Sequence, residues 1–227
     1  DQNDYRTPQQ ISSDVGATDM NSVVSTPEGI LFKSEKGIYM LNRGLYVTYI
    51  GAPVEQYNSQ QVLDAILLND TNEVRFLLSD KILSYDYIAK QWSVLTNISS
   101  SAVDSVIHND TYHYLKSNGA VYSQNESVFT SAGSYYAAKF ETNWITVGSI
   151  AVNGNMQTTA QGFQRLYTIN ILGKYRSAHN LKVSLAYNYS DTVIDYATIV
   201  PTGVGIYQFE VKPSLQKCEA FKIIVED

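Results

Sequence analysis

Asp64-Ala-Ile-Leu-Leu-Asn-Asp-Thr71 returns 40 residues later as Asp104-Ser-Val-Ile-His-Asn-Asp-Thr111. The match continues downstream, Phe76 with Tyr114 at an offset of 38 and Ile82 with Val121 at an offset of 39. A weaker, earlier copy pairs Val24 with Leu67, Phe32 with Phe76 and Ile38 with Ile82, at offsets of 43 or 44. Each copy consists of short apolar runs between turn signals, the pattern of strands joined by hairpins. Val62 to Leu68 is the one short stretch that could be helical, but it has an internal copy that looks like a strand and is read as one. A period of ~40 residues with about four strands per unit is the mark of propeller blades. A sheet that small cannot bury both faces alone, so it stacks on its neighbours. The competing reading is an ordinary meander with chance similarity.

Working outward, residues 22–134 are expected to form about three blade-like repeats. That makes a partial propeller, since closed ones use roughly four to eight blades. In the first repeat the turns are Pro27-Glu28-Gly29, Glu35-Lys36-Gly37 and Asn42-Arg43-Gly44. Residues 1–21 are polar and aperiodic and read as an arm or linker. After Ser131-Ala-Gly-Ser134 the strands lengthen and alternate. Leu181, Val183, Leu185, Tyr187 and Tyr189 fall on one face, against Lys182, Ser184 and Asn188 on the other. Tyr207, Phe209 and Val211 alternate in the same way, as do Phe221, Ile223 and Val225. Such alternation belongs to sheets with one buried and one wet face, and Asn153-Gly154 is a hairpin turn. Residues 135–227 therefore read as a β-sandwich-like domain, and the whole chain as all-β.

Composition narrows the function classes. Of the 227 residues 44% are hydrophobic, enough to bury a core, and only 17% are charged. A net charge of -6 and scattered Lys and Arg leave no footprint for gripping nucleic acid. The single cysteine, Cys218, rules out an intrachain disulfide. No apolar run approaches the ~18 residues of a membrane helix. The chain opens at Asp1 on a polar stretch with no initiator Met and no signal-like segment, and is expected to be a fragment or a processed product.

Candidate chemistry is sparse. A four-residue hairpin loop after His108 would set it opposite His113, close enough to share a metal, but a third ligand is missing and His179 is distant in sequence. Ordinary strand-end histidines are the simpler reading. Asn69-Asp-Thr-Asn-Glu73 and Asn109-Asp-Thr111 offer oxygen ligands for calcium, yet they recur at the repeat period, as turn-closing side chains do. Asp80 and Asp86 could be imagined as a glycosidase acid and nucleophile. Sequons at Asn69, Asn97, Asn109, Asn125 and Asn188 are expected by chance in so Asn-, Ser- and Thr-rich a chain. Tyr85-Asp-Tyr87, Tyr135-Tyr136 and Tyr187-Asn-Tyr189 could stack on sugars, though alternating Tyr is more often core or subunit contact. Phosphate loops, nucleophile elbows and dinucleotide fingerprints are absent from the sequence. The expectation is a non-enzyme, with no catalytic, cofactor-binding or metal residue assigned.

Thr26–Glu55 resembles the tail hub or nozzle proteins of double-stranded DNA phages, a family that includes the packaged-DNA stabilisation proteins of short-tailed phages. Phe32-Lys-Ser34, Gly37-Ile-Tyr-Met-Leu-Asn-Arg43 and Tyr49-Ile-Gly-Ala-Pro-Val54 carry the likeness, and Thr7-Pro-Gln-Gln-Ile-Ser-Ser-Asp-Val-Gly16 fits it. Arg165-Leu-Tyr-Thr-Ile-Asn-Ile-Leu-Gly-Lys-Tyr-Arg-Ser-Ala-His-Asn-Leu181 resembles the part after the blades in those proteins. The resemblance implies a virion structural protein of the phage tail, made in the bacterial cytoplasm and longer than this chain. Its partners would be other tail proteins and copies of itself in a six-fold ring. DNA would pass through without tight binding, and no membrane would be involved. A carbohydrate-binding or adhesin module, and after it a propeller-type glycoside hydrolase, are the competing functions.

Overall fold

A computed structural model describes residues 10, 14–96, 98, 101–125, 128, 130, 137–146, 149–152, 155–158, 164–175 and 180–227. The protein is nearly all β and divides into two compact units, Asp1–Tyr136 and Ala137–Asp227. Among the described residues, no helix is long and apolar enough to cross a membrane.

The first unit holds three antiparallel meanders. The first runs β1 (Val24–Ser25), β2 (Gly29–Ser34), β3 (Gly37–Asn42) and β4 (Val47–Tyr49). The second runs β5 (Asp64–Leu68), β6 (Glu73–Leu77), β7 (Ile82–Asp86) and β8 (Gln91–Leu95). The third has β9 (Ala102–His108), β10 (Thr111–Lys116) and β11 (Val121–Ser123). None of these sheets closes on itself among the described residues.

Pairing registers explain the drifting offsets of the repeat. Phe76 lies between Ala65 and Leu83, and Tyr114 lies between Ser105 and Tyr122, so the two aromatics occupy one ladder position. The offset falls from 40 to 38 because four residues, Asn69–Asn72, join β5 to β6, whereas only Asn109 and Asp110 join β9 to β10. Phe32 and Phe76 are likewise equivalent, as are Ile38 and Ile82: Ile38 is paired with Lys33, and Ile82 with Leu77. Val24 is the exception. It pairs with Leu31, whose equivalent Arg75 pairs with Ile66, so the counterpart of Val24 is Ile66 and not Leu67. A slip of one residue would put Val24 on the wrong face.

The faces follow from this register. Val24, Leu31 and Ile38 of the first sheet share a core with Val74, Phe76, Leu83 and Tyr85 of the second. The opposite face of the second sheet, through Leu77 and Ile82, shares another core with Ala102 and Tyr112 of the third. The second sheet is thus covered on both sides. At the start of β2, Thr26 and Gly29 exchange backbone hydrogen bonds of 2.8 and 3.3 Å around Pro27-Glu28. A Cβ on Gly29 would sit 2.3 Å from the Leu41 carbonyl oxygen, so only glycine fits there.

The arm expected over residues 1–21 is tied down in its described part. Thr18 donates its backbone N–H to Lys33 O at 2.9 Å, and Asn21 bonds Leu63 O at 3.2 Å. Lys33, on the core face of β2, is buried and gives its ammonium to Ser34 O and Asn58 O, each at 2.8 Å. Burial pushes its pKa down.

The second unit comprises β12 (Lys139–Glu141), β13 (Ser149–Val152), β14 (Asn155–Thr158), β15 (Gln164–Arg165), β16 (Ile169–Tyr175), β17 (Leu181–Tyr187), β18 (Val193–Ile199), β19 (Gly205–Val211), β20 (Lys217–Cys218) and β21 (Phe221–Glu226). A four-stranded sheet in the order β12-β21-β17-β18 and the β16–β19 pair share one core. Val183, Leu185 and Tyr187 meet Ile169, Val211 and Phe221 there, as the alternation predicts. Tyr189 departs from that alternation. Asn188 and Tyr189 both take positive φ, 54° and 61°, and Ser190 N bonds Tyr187 O at 3.0 Å, so β17 ends in a tight turn that leaves Tyr189 exposed. Val152 stands opposite Asn155 in the β13–β14 hairpin, while Asn153-Gly154 itself lies outside the described residues.

Phe76 is fully buried between two sheets. Phe76→Ala is expected to lower stability by about 3–5 kcal/mol in a urea titration. Phe140→Ala, at an exposed position in β12, should stay within about 0.5 kcal/mol. Equal losses at the two sites would count against the sheet-on-sheet core.

Candidate functional site

The densest polar cluster lies in the seam between the second and third sheets. Alternation along β6 sends Val74 and Phe76 to one face and Arg75 to the other, so an arginine points into the seam and is buried. Glu73 Oε2 accepts hydrogen bonds from Arg75 Nε at 3.2 Å, Arg75 Nη2 at 3.1 Å and Ser84 Oγ at 3.0 Å. From the third sheet's side, Gln124 Oε1 accepts from Arg75 Nη1, and the guanidinium lies 4.8 Å from the centroid of the Tyr112 ring. Ser105 closes the seam by donating its hydroxyl proton to Asp64. The charge is therefore paired, hydrogen-bonded and stacked, which an interior position demands.

Tyr112 is the unsatisfied member of the cluster. Its hydroxyl is buried and has no hydrogen-bond partner among the described residues. Burial pushes its pKa up to about 12 and outweighs the opposing pull of Ser105 and Arg75. The chemistry of this seam is that of a fastening between sheets. A cavity of about 600 Å³ in the second unit is lined by Lys139, Lys182, Thr198 and Glu226.

The residues singled out in the sequence do not converge. His108 and His113 share the outer face of the third sheet with ring centroids 6.1 Å apart, but not as expected. The loop is Asn109-Asp110 alone, so His108 faces Thr111, and His113 faces Val106. Among the described residues, no three His, Cys, Asp or Glu side chains are grouped to hold a metal. His179, Asn97 and Tyr135-Tyr136 lie outside the described residues.

Asn72, Asn109 and Asp110 adopt positive φ, which fits the turn reading of both Asn-Asp-Thr segments. Asp80 and Asp86 stand at opposite ends of β7: Asp80 pairs with Lys81, and Asp86 caps a turn by accepting from Ile88 N at 2.9 Å and Ala89 N at 2.8 Å. Tyr85 and Tyr87 are buried in the first core. Cys218 is buried, and its thiol pKa is raised by that burial.

A second cluster escaped the sequence reading. The turn at Asn188 brings Tyr189 against Trp144, with ring centroids 5.3 Å apart. Lys222 Nζ lies 4.8 Å from the Trp144 ring centroid and binds Asp191 at 2.8 Å and Glu141 at 2.9 Å. Those bonds raise the Lys222 pKa, Asp191 first, and lower that of Glu141. Nothing in the spacing of 141, 144, 189 and 222 announces this grouping. Arg75 was visible in principle, as a charge at an inward position between Val74 and Phe76.

Compared with known proteins, the chain matches no family model and no curated protein.

Two outcomes are expected from the seam. Arg75→Met leaves Glu73 and Gln124 without their shared cation and should cost about 1–3 kcal/mol, the partial exposure of Glu73 softening the loss. Adding Glu73→Gln should recover part of it, as a double-mutant cycle would read. Because the folded state raises the Tyr112 pKa, its contribution is complete below the unfolded value of ~10 and is lost as pH rises towards 12. Stability measured across that alkaline window should fall less steeply in Tyr112→Phe, and unchanged steepness would contradict the assignment.

Proposed function

We propose that the chain is a non-enzymatic structural component of the tail hub or nozzle of a double-stranded DNA phage, forming part of the channel through which DNA leaves the capsid. The first unit serves as a partial propeller and the second as a β-sandwich. The observation that carries the reading is the tandem stacking of three small meanders, the middle one packed on both faces, an architecture that builds walls and rings rather than clefts. The segments that resemble the phage family have structural work in this fold. Phe32-Lys-Ser34 lies on β2 and anchors Asn58 through Lys33. Gly37–Arg43 forms β3 and its exit turn, and Gly51 sits so close to Ile38 that a Cβ would meet its nitrogen at 2.9 Å. A conduit must let duplex slide past without gripping it, and each phosphate paired with Lys or Arg adds affinity. The net charge of -6 suits that task.

The second reading is a carbohydrate-binding module. It is favoured by one feature, the Trp144–Tyr189 pair flanked by Glu141, Asp191 and Lys222, where aromatic faces and hydrogen-bonding groups lie side by side.

Two measurements separate them. In an anisotropy titration at about 0.15 M salt the protein should bind duplex DNA no tighter than about millimolar, below the ~10⁻⁴ to 10⁻⁶ M of ordinary non-specific binders. A micromolar constant with a steep salt slope would overturn the conduit reading. On a glycan array the hub reading expects no signal, whereas binding abolished by Trp144→Ala would establish the carbohydrate module.

A further inference from the structure

We infer that the two outer faces of the three-sheet stack are complementary docking surfaces, and that the third sheet of one copy of this chain packs on the first sheet of a second copy. The inference deepens the assembly proposed above and rests on it. It follows from register. In the second sheet the side facing the first is built from Val74, Phe76, Leu83, Tyr85, Trp92 and Val94. The ladder-equivalent positions of the first sheet are Ile30, Phe32, Tyr39, Leu41, Val47 and Tyr49, every one apolar or aromatic. They lie on the side turned away from the second sheet; Ile30 is 39% exposed, Tyr39, Leu41, Val47 and Tyr49 are half-buried, and Phe32 is buried beneath them.

The other end of the stack repeats the argument. Towards the third sheet, the second presents Ile66, Leu77 and Ile82. Their equivalents on the outer side of the third sheet are Val106, Leu115 and Val121, exposed at 55%, 36% and 65%. Each end therefore carries half of an interface that the stack already makes internally. The end that gives Val106 matches the end that receives at Ile30, just as Ile66 shares a core with Tyr112, the equivalent of Ile30. A contact between unlike faces is head-to-tail, and it yields rings when the rotation closes. Two copies joined at both ends bring six sheets together, within the roughly four to eight of closed rings of such sheets.

Single-cysteine variants test the pairing, since Cys218 is buried and out of reach. Val106→Cys and Ile30→Cys chains are mixed under mild oxidation, each also being oxidised alone. Disulfide-linked dimers are expected in the mixture at several times their level in either chain alone. A Val106→Glu/Val121→Glu chain should lower the mass measured by light scattering to that of one chain. Both positions are already exposed, and retained circular dichroism confirms that this variant folds. An oligomer that forms no mixed disulfide, or that survives the glutamates, overturns the docking assignment and leaves the ring reading standing. A chain that stays monomeric at all concentrations and never cross-links overturns both.

Discussion

Burial of both faces of the second sheet is the constraint on which the first unit depends. A four-stranded meander with apolar side chains on both faces must cover both to remove them from water. Val74 and Phe76 can leave water only against the first sheet, and Leu77 and Ile82 only against the third. Strand length, turn choice and the tied-down arm all serve that stacking. Thr18 and Asn21 stitch the incoming chain to Lys33 and Leu63, and Lys33 in turn holds the segment that leads to β5.

The repeat was legible in the sequence because ladder position constrains side-chain type. Phe76 and Tyr114, Ile82 and Val121, and Phe32 and Phe76 were correctly matched for that reason. Loops were not legible, since Asn-Asp-Thr can close either a four-residue or a two-residue connection. That ambiguity set His108 opposite the wrong partner, and the shorter Thr26–Gly29 connection misplaced Val24 by one residue. Tyr189 failed for a related reason: alternation continues through it in the sequence, but Asn188 and Tyr189 itself take positive φ and turn the chain there. The clusters around Arg75 and Trp144 were hidden because their members are drawn from different strands and turns, 49 residues apart in the pair Arg75–Gln124.

In the second unit a different economy holds. Long strands let one face of β17 meet β16 and β19 while the other stays partly covered, and Ser184 is buried there without a hydrogen-bond partner among the described residues. An unsatisfied hydroxyl of this kind costs about 1–3 kcal/mol. The core of Val183, Leu185, Tyr187, Val211 and Phe221 is large enough to carry that cost.

The two seams of the first unit differ in kind, and the difference has a consequence for specificity. The first is mainly apolar and aromatic, with Phe76 and Tyr85 placing their rings 6.0 and 4.8 Å from Trp92, and the buried Lys33 bonds the carbonyls of Ser34 and Asn58 rather than the second sheet. The second is mixed, with Arg75, Glu73, Ser84 and Gln124 locked in one arrangement beside Tyr112. Apolar area is non-directional and supplies attraction, whereas a buried charge tolerates only the register that satisfies it. Sliding the third sheet by one residue would leave the guanidinium without Gln124 and the carboxylate of Asp64 without Ser105. The polar seam thus fixes which sheet follows which and in what register, while the apolar seam supplies most of the burial. At the outer face of the third sheet, His113 occupies the ladder position of Arg75 and Ser123 that of Ser84, so a docking partner there meets a polar pattern as well as the valines.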